Sequence, residues 1–286
     1  MFANVAPSHD PQVSYAPAVP LLSLVQFAAR SFYHWMCEVL PRLVVAQSVW
    51  GMPSPTTYNV LLPKSSTAFM MQSLSALGIT STIEYRNKLA VAKAPLLFVT
   101  WRAQSLVPDK AAGYSLAHPH ALRMLRTRLL ERVQRRQQPR PSIVVASRGD
   151  STGMRHFDEK ALIGALAAAL PAFDVLSADA SQPLLDNLAL FAAAAAVVGA
   201  HGGALANIVV CPPLTPVVEI GFPSEASWHY EHVATALQLR HARVLAAADP
   251  LHRSVGAAAI SCNISDVVAR VQQLLQRPPA QSHAEL

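Results

Sequence analysis

Five short apolar runs, "SIVVAS", "FDVLSA", "AAVVGA", "TPVVEIG" and "HARVLAA", are spaced through residues 142–247 and separated by stretches with helical patterning. This alternation is the strongest constraint on the fold. A strand covered on one face alternates apolar and polar residues, whereas a strand covered on both faces reads as an unbroken apolar run. Several of these runs are unbroken. A parallel sheet with helices on both faces satisfies that pattern. The intervening segments carry helix signals. "DEKALIGALAAAL" starts its helix just after Asp158, "SQPLLDNLALFAAA" has Pro183 near its first turn, and "ISDVVARVQQLLQ" has Ser265 as its cap. "GGALANIVVC" and "WHYEHVATALQL" supply two more helices.

The N-terminal half alternates less regularly. In "RSFYHWMCEVLPRLVVAQSVWG", Trp35, Val39, Leu43 and Ala46 recur at helical spacing. "TTYNVLLP" reads as a strand ended by Pro63, and "STAFMMQSLSALGI" as a helix closing on Gly78. "TIEYR" and "LAVAKAPLLFVT" suggest further short strands. "HPHALRMLRTRLLERVQRRQ" is a basic amphipathic helix with Leu122, Leu125, Leu129 and Val133 as its apolar stripe. "QQPRP" at 137–141 is the best linker. The expected organisation is therefore an N-terminal α/β domain over 1–138, a second α/β domain over 139–278 and a disordered tail over 279–286. A hydrophobic fraction of 52% against 14% charged residues is enough for two cores.

Ligands of doubly wound sheets bind outside the carboxyl ends of the strands, so the loops after the strands carry the chemistry. "SRGDSTGMRHFDE" follows the first C-terminal-half strand and holds Arg148 and Arg155. Guanidinium groups pair bidentately with phosphate oxygens, and two on one rim would clamp a pyrophosphate. "VVGAHGGALANIVVCPP" follows another strand and places His201, Gly202, Gly203 and Ala204 where a helix begins. Backbone N–H groups at a helix start favour an anion, and glycines let a ligand approach. His201 either donates to a phosphate or only shapes the turn. Glu219 ends the apolar "PVVEI", where a buried carboxylate needs a partner or a ligand; at that rim it could accept both hydroxyls of a ribose. In the other half, "FYHWMCEVLPRL" puts His34 and Glu38 four apart on one helix face, either as an ion pair or as a general base.

Other classes are excluded or disfavoured. The spacing at His201 is not that of a dinucleotide fingerprint, and no Walker loop, zinc-protease motif or nucleophile elbow occurs. Three cysteines, Cys37, Cys211 and Cys262, form no C-x-x-C pair, which argues against zinc, redox and disulfide scaffolds. Net charge is +6, and seven arginines fall between Arg123 and Arg140. Without interleaved aromatics they read as a solvated helix face rather than a nucleic-acid surface. Neither a signal peptide nor a membrane span is expected within this chain.

Taken in order and spacing, "SFYHWMCEVLPRL", "SIVVASRGDSTGMRHFDEKAL" and "VVGAHGGALANIVVCPPLTPVVEI" resemble the family 61 glycosyltransferases, over roughly 32–220. The resemblance implies an α/β fold of GT-B type, with two Rossmann-like domains whose parallel sheets face a central cleft. It implies inverting transfer of a sugar such as GlcNAc, xylose or arabinose from a UDP-sugar to a hydroxyl of a glycan or glycoprotein. No cofactor and no essential metal are implied. Arg148, Arg155, His201, Gly202, Gly203 and Ala204 correspond to the donor-phosphate site, Glu219 to a nucleoside contact, and His34 and Glu38 to the acceptor side. The family position before Glu159 is usually Asn; here it is Asp158. The family implies the lumen of the endoplasmic reticulum or Golgi, with Asn263-Ile264-Ser265 as a possible glycosylation site there, or the cytoplasm for a bacterial-type member. The alternative is a non-catalytic paralogue that binds nucleotide sugars or glycans.

Overall fold

The computed structural model describes residues 20–26, 28–49, 59–80, 82–84, 96–97, 99–101, 104–108, 116–134, 139–147, 157–179, 181–221, 228–248 and 260–276. Arg148, Arg155 and the tail at 279–286 lie outside the described residues. Two parallel sheets organise the chain. The first, ordered β3-β2-β1-β4, takes its strands from Leu21–Ser23 (β1), Asn59–Leu62 (β2), Thr82–Glu84 (β3) and Leu96–Leu97 (β4). The second is ordered β6-β5-β7-β8-β9. Its strands are Ser142–Ala146 (β5), Asp174–Ala178 (β6), Ala194–Ala200 (β7), Pro216–Gly221 (β8) and Arg240–Leu245 (β9). All pairings within both sheets are parallel, which gives the α/β arrangement of parallel sheets expected from the alternation. A short antiparallel pair, Ala247–Ala248 (β10) with Ile260–Ser261 (β11), lies apart from them.

The second sheet is covered on both faces, and its strands divide their side chains accordingly. Ile143 and Val145 of β5, Ala196 and Val198 of β7, and Val218 and Ile220 of β8 pack with Glu159–Ala169 (α5) and Ile264–Gln276 (α8). Val144, Ala146, Val197 and Val217 face the opposite cluster. The period of two is that of a pleated strand. Helix ends are capped as the chemistry requires. Asp158 accepts a hydrogen bond from Ala161 N at 2.9 Å and caps α5, so its carboxylate also sits where the helix dipole favours it. At α8 the cap is Asn263, which accepts from Ser265 N at 3.0 Å; Ser265 lies inside the helix, one residue past its start.

The second cluster does not stop at the edge of the second sheet. It runs from Leu22 and Val60 of the first sheet through Trp35, Val39, Leu43 and Ala46 to Leu205, Ile208, Val209 and Val210. The segment Gly203–Val210 was expected as an α-helix and is a 3-10 helix instead, with Leu205–Val210 buried. It packs against Phe32–His34 (α1), Pro119–Leu130 (α4), Leu184–Ala192 (α6) and His229–Ala236 (α7). Polar contacts tie the same layers together. Arg123 and Arg126 of α4 donate to Ala236 O and Leu237 O at the end of α7, at 3.1 and 3.0 Å. They cap orphan carbonyls there, so part of the basic stretch is structural rather than simply solvated. His232 of α7 accepts from Leu106 N at 3.2 Å through Nδ1 and donates to Ala117 O at 2.7 Å through Nε2.

The helix that follows β1 is not uniform. Between α1 and Leu40–Val49 (α2), residues Trp35–Val39 form a π-helical turn in which Leu40 N bonds back to Trp35 O. Pro41 explains the position. Its ring has no N–H to give and would crowd the carbonyl four residues back, which a wider turn relieves. Among the described residues, no helix is long and apolar enough to cross a membrane.

Candidate active site

The strand order fixes where a crevice opens. In the second sheet the chain starts at β5, steps one way to β6 and then the other way to β7. The switch point lies between the carboxyl ends of β5 and β7. His201 follows β7 there. The first sheet starts at β1 and steps to β2 and β3, with β4 on its other side. Gln26, His34 and Glu38 all follow β1. Residues from the two sheets meet through this arrangement.

On the first-sheet side, His34 Nδ1 lies 2.8 Å from Glu38 Oε1. Gln26 Nε2 donates to Glu38 Oε2 at 2.9 Å, and Arg42 Nη1 donates to Gln26 Oε1. The imidazole is the outward member: the His34 side chain is 30% exposed and that of Glu38 5%. On the second-sheet side, His201 Nδ1 lies 2.5 Å from Glu219 Oε1, and the exposures are 16% and 0%. Each half therefore contributes an imidazole backed by a buried carboxylate.

Glu219 is surrounded from β9 as well. His241 Nε2 lies 2.8 Å from its Oε2, and Arg243 Nη2 donates to the same oxygen at 3.4 Å. Burial alone would raise its pKa, but hydrogen bonds and charge from His201 and His241 overcome this and hold the carboxyl at about 2. Glu219 is thus ionised and turned inward, with both oxygens engaged. A carboxylate only accepts, so His201 presents Nδ1–H to it.

The two pairs are joined by rings. Tyr33 meets His34 edge to face at 5.4 Å and Tyr230 at 5.3 Å between centroids; Tyr230 meets His201 at 5.2 Å. Tyr230 also donates its hydroxyl to Gly202 O at 2.5 Å, fixing the loop that carries His201. His229 packs edge to face on Tyr33 and lies flat on Trp228 at 5.3 Å. Burial lowers the pKa of His229, and the charges of His201, His34 and His232 lower it further against the opposing pull of Glu38. His229 therefore senses both pairs. Burial, reinforced by Cys37, Glu38 and Tyr230, raises the Tyr33 phenol well above its ordinary value. Burial also pushes the Cys37 and Cys211 thiols up, which makes neither a nucleophile.

Gly203 has a packing role. A Cβ there would lie 3.2 Å from Phe32 Cβ, tighter than ordinary contact, so glycine at this position lets the start of α1 approach closely. Gly202 and Ala204 flank it, between His201 and the buried 3-10 turn. Close to the same rim, Glu159 accepts from Ser147 Oγ at 2.9 Å and Ser177 Oγ at 2.7 Å. His241, Arg243, Tyr33, Tyr230 and His229 escaped the sequence reading. The nearest signal was "WHY" at the start of "WHYEHVATALQL".

The family model for Glycosyltransferase 61 matches residues 32–218. No curated protein matches the chain. Among solved structures the chain is similar to the dodecameric iron-containing heptosyltransferase TibC, crystallised in complex with ADP-D-beta-D-heptose. Identity is 12% and the TM-score 0.36, over 73% of this chain and 60% of that one.

Proposed function

Because the chain belongs to the glycosyltransferase 61 family, we propose that it transfers a sugar from a UDP-sugar to a hydroxyl of a glycan or glycoprotein, with inversion at the anomeric carbon. The observation that carries this reading is the pairing of the two imidazole–carboxylate units, one from each sheet, through Tyr33 and Tyr230. An acceptor hydroxyl needs a base on one side of the reacting carbon. The leaving diphosphate needs positive charge or hydrogen-bond donors on the other.

In this reading His34 is the base. Its Nδ1 is committed to Glu38, which leaves Nε2 to take the acceptor proton. Glu38 is too enclosed to meet an acceptor and serves to orient and support the imidazole. The acceptor oxygen forms its bond to the anomeric carbon as the bond from that carbon to the diphosphate oxygen breaks, and the electron pair leaves with UDP. His201, held by ionised Glu219, stands with Gly202 and the backbone at 203–204 on the leaving-group side. Arg148 and Arg155, which follow β5 in the sequence, supply the cationic clamp. Together they do for the diphosphate what a divalent metal does in other transferases.

Calorimetric titration with UDP, using wild-type protein and Arg148→Ala, tests the donor side. Binding by the wild type with a clear loss in the variant supports the clamp; equal affinity removes it. A screen of nucleotide sugars by thermal stabilisation then identifies the donor, since a ligand at 100 times its Kd adds about 2.7 kcal/mol to the native state.

A further inference from the structure

Resting on the reading of His34 as the base, we propose that Gln26 and Arg42 are positioning residues that set the tautomer of His34 through Glu38. A guanidinium only donates, so the bond from Arg42 Nη1 to Gln26 Oε1 fixes which way the Gln26 amide points. Its NH2 group must then face Glu38, as it does at 2.9 Å from Oε2. With Oε2 occupied, Oε1 is left for His34 Nδ1. The order of groups is therefore guanidinium, amide, carboxylate, imidazole.

The amide in the middle matters chemically. Arginine beside a carboxylate tends to form two parallel bonds, which would engage both oxygens and draw Glu38 away from His34. Gln26 passes on one hydrogen bond and keeps the guanidinium out of contact. Arg42 still feels Glu38 electrostatically: burial lowers the guanidinium pKa while the Glu38 charge raises it. Arg42 is itself held in place. Its guanidinium lies 5.3 Å over the Trp101 ring, and Trp101 Nε1 donates to Leu116 O at 3.1 Å. The other titratable groups facing the pair are Tyr33 and Cys37 on the same helix, His229 and Tyr230 on α7, and His201 on the rim loop. None of these bonds the amide of Gln26 among the described contacts.

The tautomer can be read directly from the ring nitrogen shifts of 15N-labelled full-length protein at about pH 8.5, where imidazoles are neutral. The expected result is a single Nδ1–H tautomer for His34 in the wild type. Gln26→Leu and Arg42→Ala should each convert it to a mixture of both tautomers. Arg42→Lys, which keeps a donor, should return most of the wild-type signal. His201, whose carboxylate is Glu219, should keep its shifts throughout. Retention of the wild-type His34 tautomer in Gln26→Leu would overturn the proposal. So would His201 and His34 changing together in that variant, which would mean general loosening. The readout needs neither donor nor acceptor, so it stands or falls separately from glycosyl transfer.

Discussion

The rings of Tyr33 and Tyr230 meet edge to face with centroids 5.3 Å apart, and each carries the histidine of a different imidazole–carboxylate pair on its other side. Tyr33 belongs to the helix after β1 and Tyr230 to the helix after β8. This contact therefore joins the His34–Glu38 pair that follows the first strand of one sheet to the His201–Glu219 pair of the other. His229 sits beside it and responds to the charge of both.

The buried Glu219 cluster should dominate acid stability. The group is wholly buried, and its pKa falls from 4.5 to about 2 on folding. A depressed carboxylate contributes stability that is complete above the unfolded value and disappears as pH falls through the folded one. The window is thus pH 4.5 down to about 2, and linkage puts the contribution on the order of 3 kcal/mol. Urea unfolding of the wild type and Glu219→Gln across pH 2–7 measures it. The difference in stability should be largest near neutrality and shrink through that window. A difference independent of pH would mean the carboxylate is not ionised in the native state.

At the other pair, turnover and donor affinity should separate. On the proposed reading His34→Ala removes the base, and Glu38→Gln leaves the ring without a carboxylate behind it. Positioned proton transfer contributes about 100- to 10,000-fold. The expected loss in kcat is of that order for His34→Ala and smaller for Glu38→Gln. UDP affinity should stay near wild type in both. Steady-state kinetics alongside calorimetry checks this; parallel loss of UDP binding would place His34 on the donor side.

Much of this was legible in the sequence, for physical reasons. Short apolar runs alternating with helical patterning fit strands of a parallel sheet, and all five strands of the second sheet appear where those runs lie, the unbroken ones at its buried centre. The helical spacing of Trp35, Val39, Leu43 and Ala46 marked a buried face, and each is at most 1% exposed. The pairing of His34 with Glu38 followed from spacing alone. Other features depended on contacts between distant elements. Glu219 shares a strand face with Val217, so it points into the apolar cluster, and its partners His241 and Arg243 come from the neighbouring strand. The spacing of Gly202 and Gly203 suggested room for a ligand, but only the fold reveals that Phe32 stands against Gly203. The π-helical turn lies just before Pro41, whose ring would crowd the carbonyl four residues back in a regular helix.

Gly203 gives a test of how closely the two halves must approach. A methyl group there meets Phe32 Cβ at 3.2 Å, so either the rim loop or the start of α1 has to give. Overpacking of this kind costs about 1–3 kcal/mol. Gly203→Ala is expected to lose stability at the low end of that range, since a few tenths of an ångström suffice. Its turnover should fall further than the stability loss explains, because moving Tyr33 separates it from Tyr230. Thermal unfolding together with kcat distinguishes the effects. An unchanged kcat in a folded variant would show that this spacing is not critical.

His232 should make the packing of the halves sensitive to mild acid. Its Nδ1 accepts from Leu106 N and its Nε2 donates to Ala117 O, so the bound form is the neutral ring. Protonation would put a hydrogen on Nδ1, facing the Leu106 N–H. Burial lowers the pKa, and the bond to Ala117 O opposes that only in part. A histidine with a depressed pKa contributes stability that is complete above its unfolded value, about 6.5, and is lost as pH falls towards the folded one. His118 and His229 are shifted in the same direction, so the comparison must isolate one residue. His232→Gln retains a donor and an acceptor without a titrating ring. Between pH 7.5 and 5.5 the wild type should lose more of its melting temperature than the variant, and protection of the Leu106 amide from hydrogen exchange should fall in the same range. Identical pH slopes for the two proteins would remove His232 as the source.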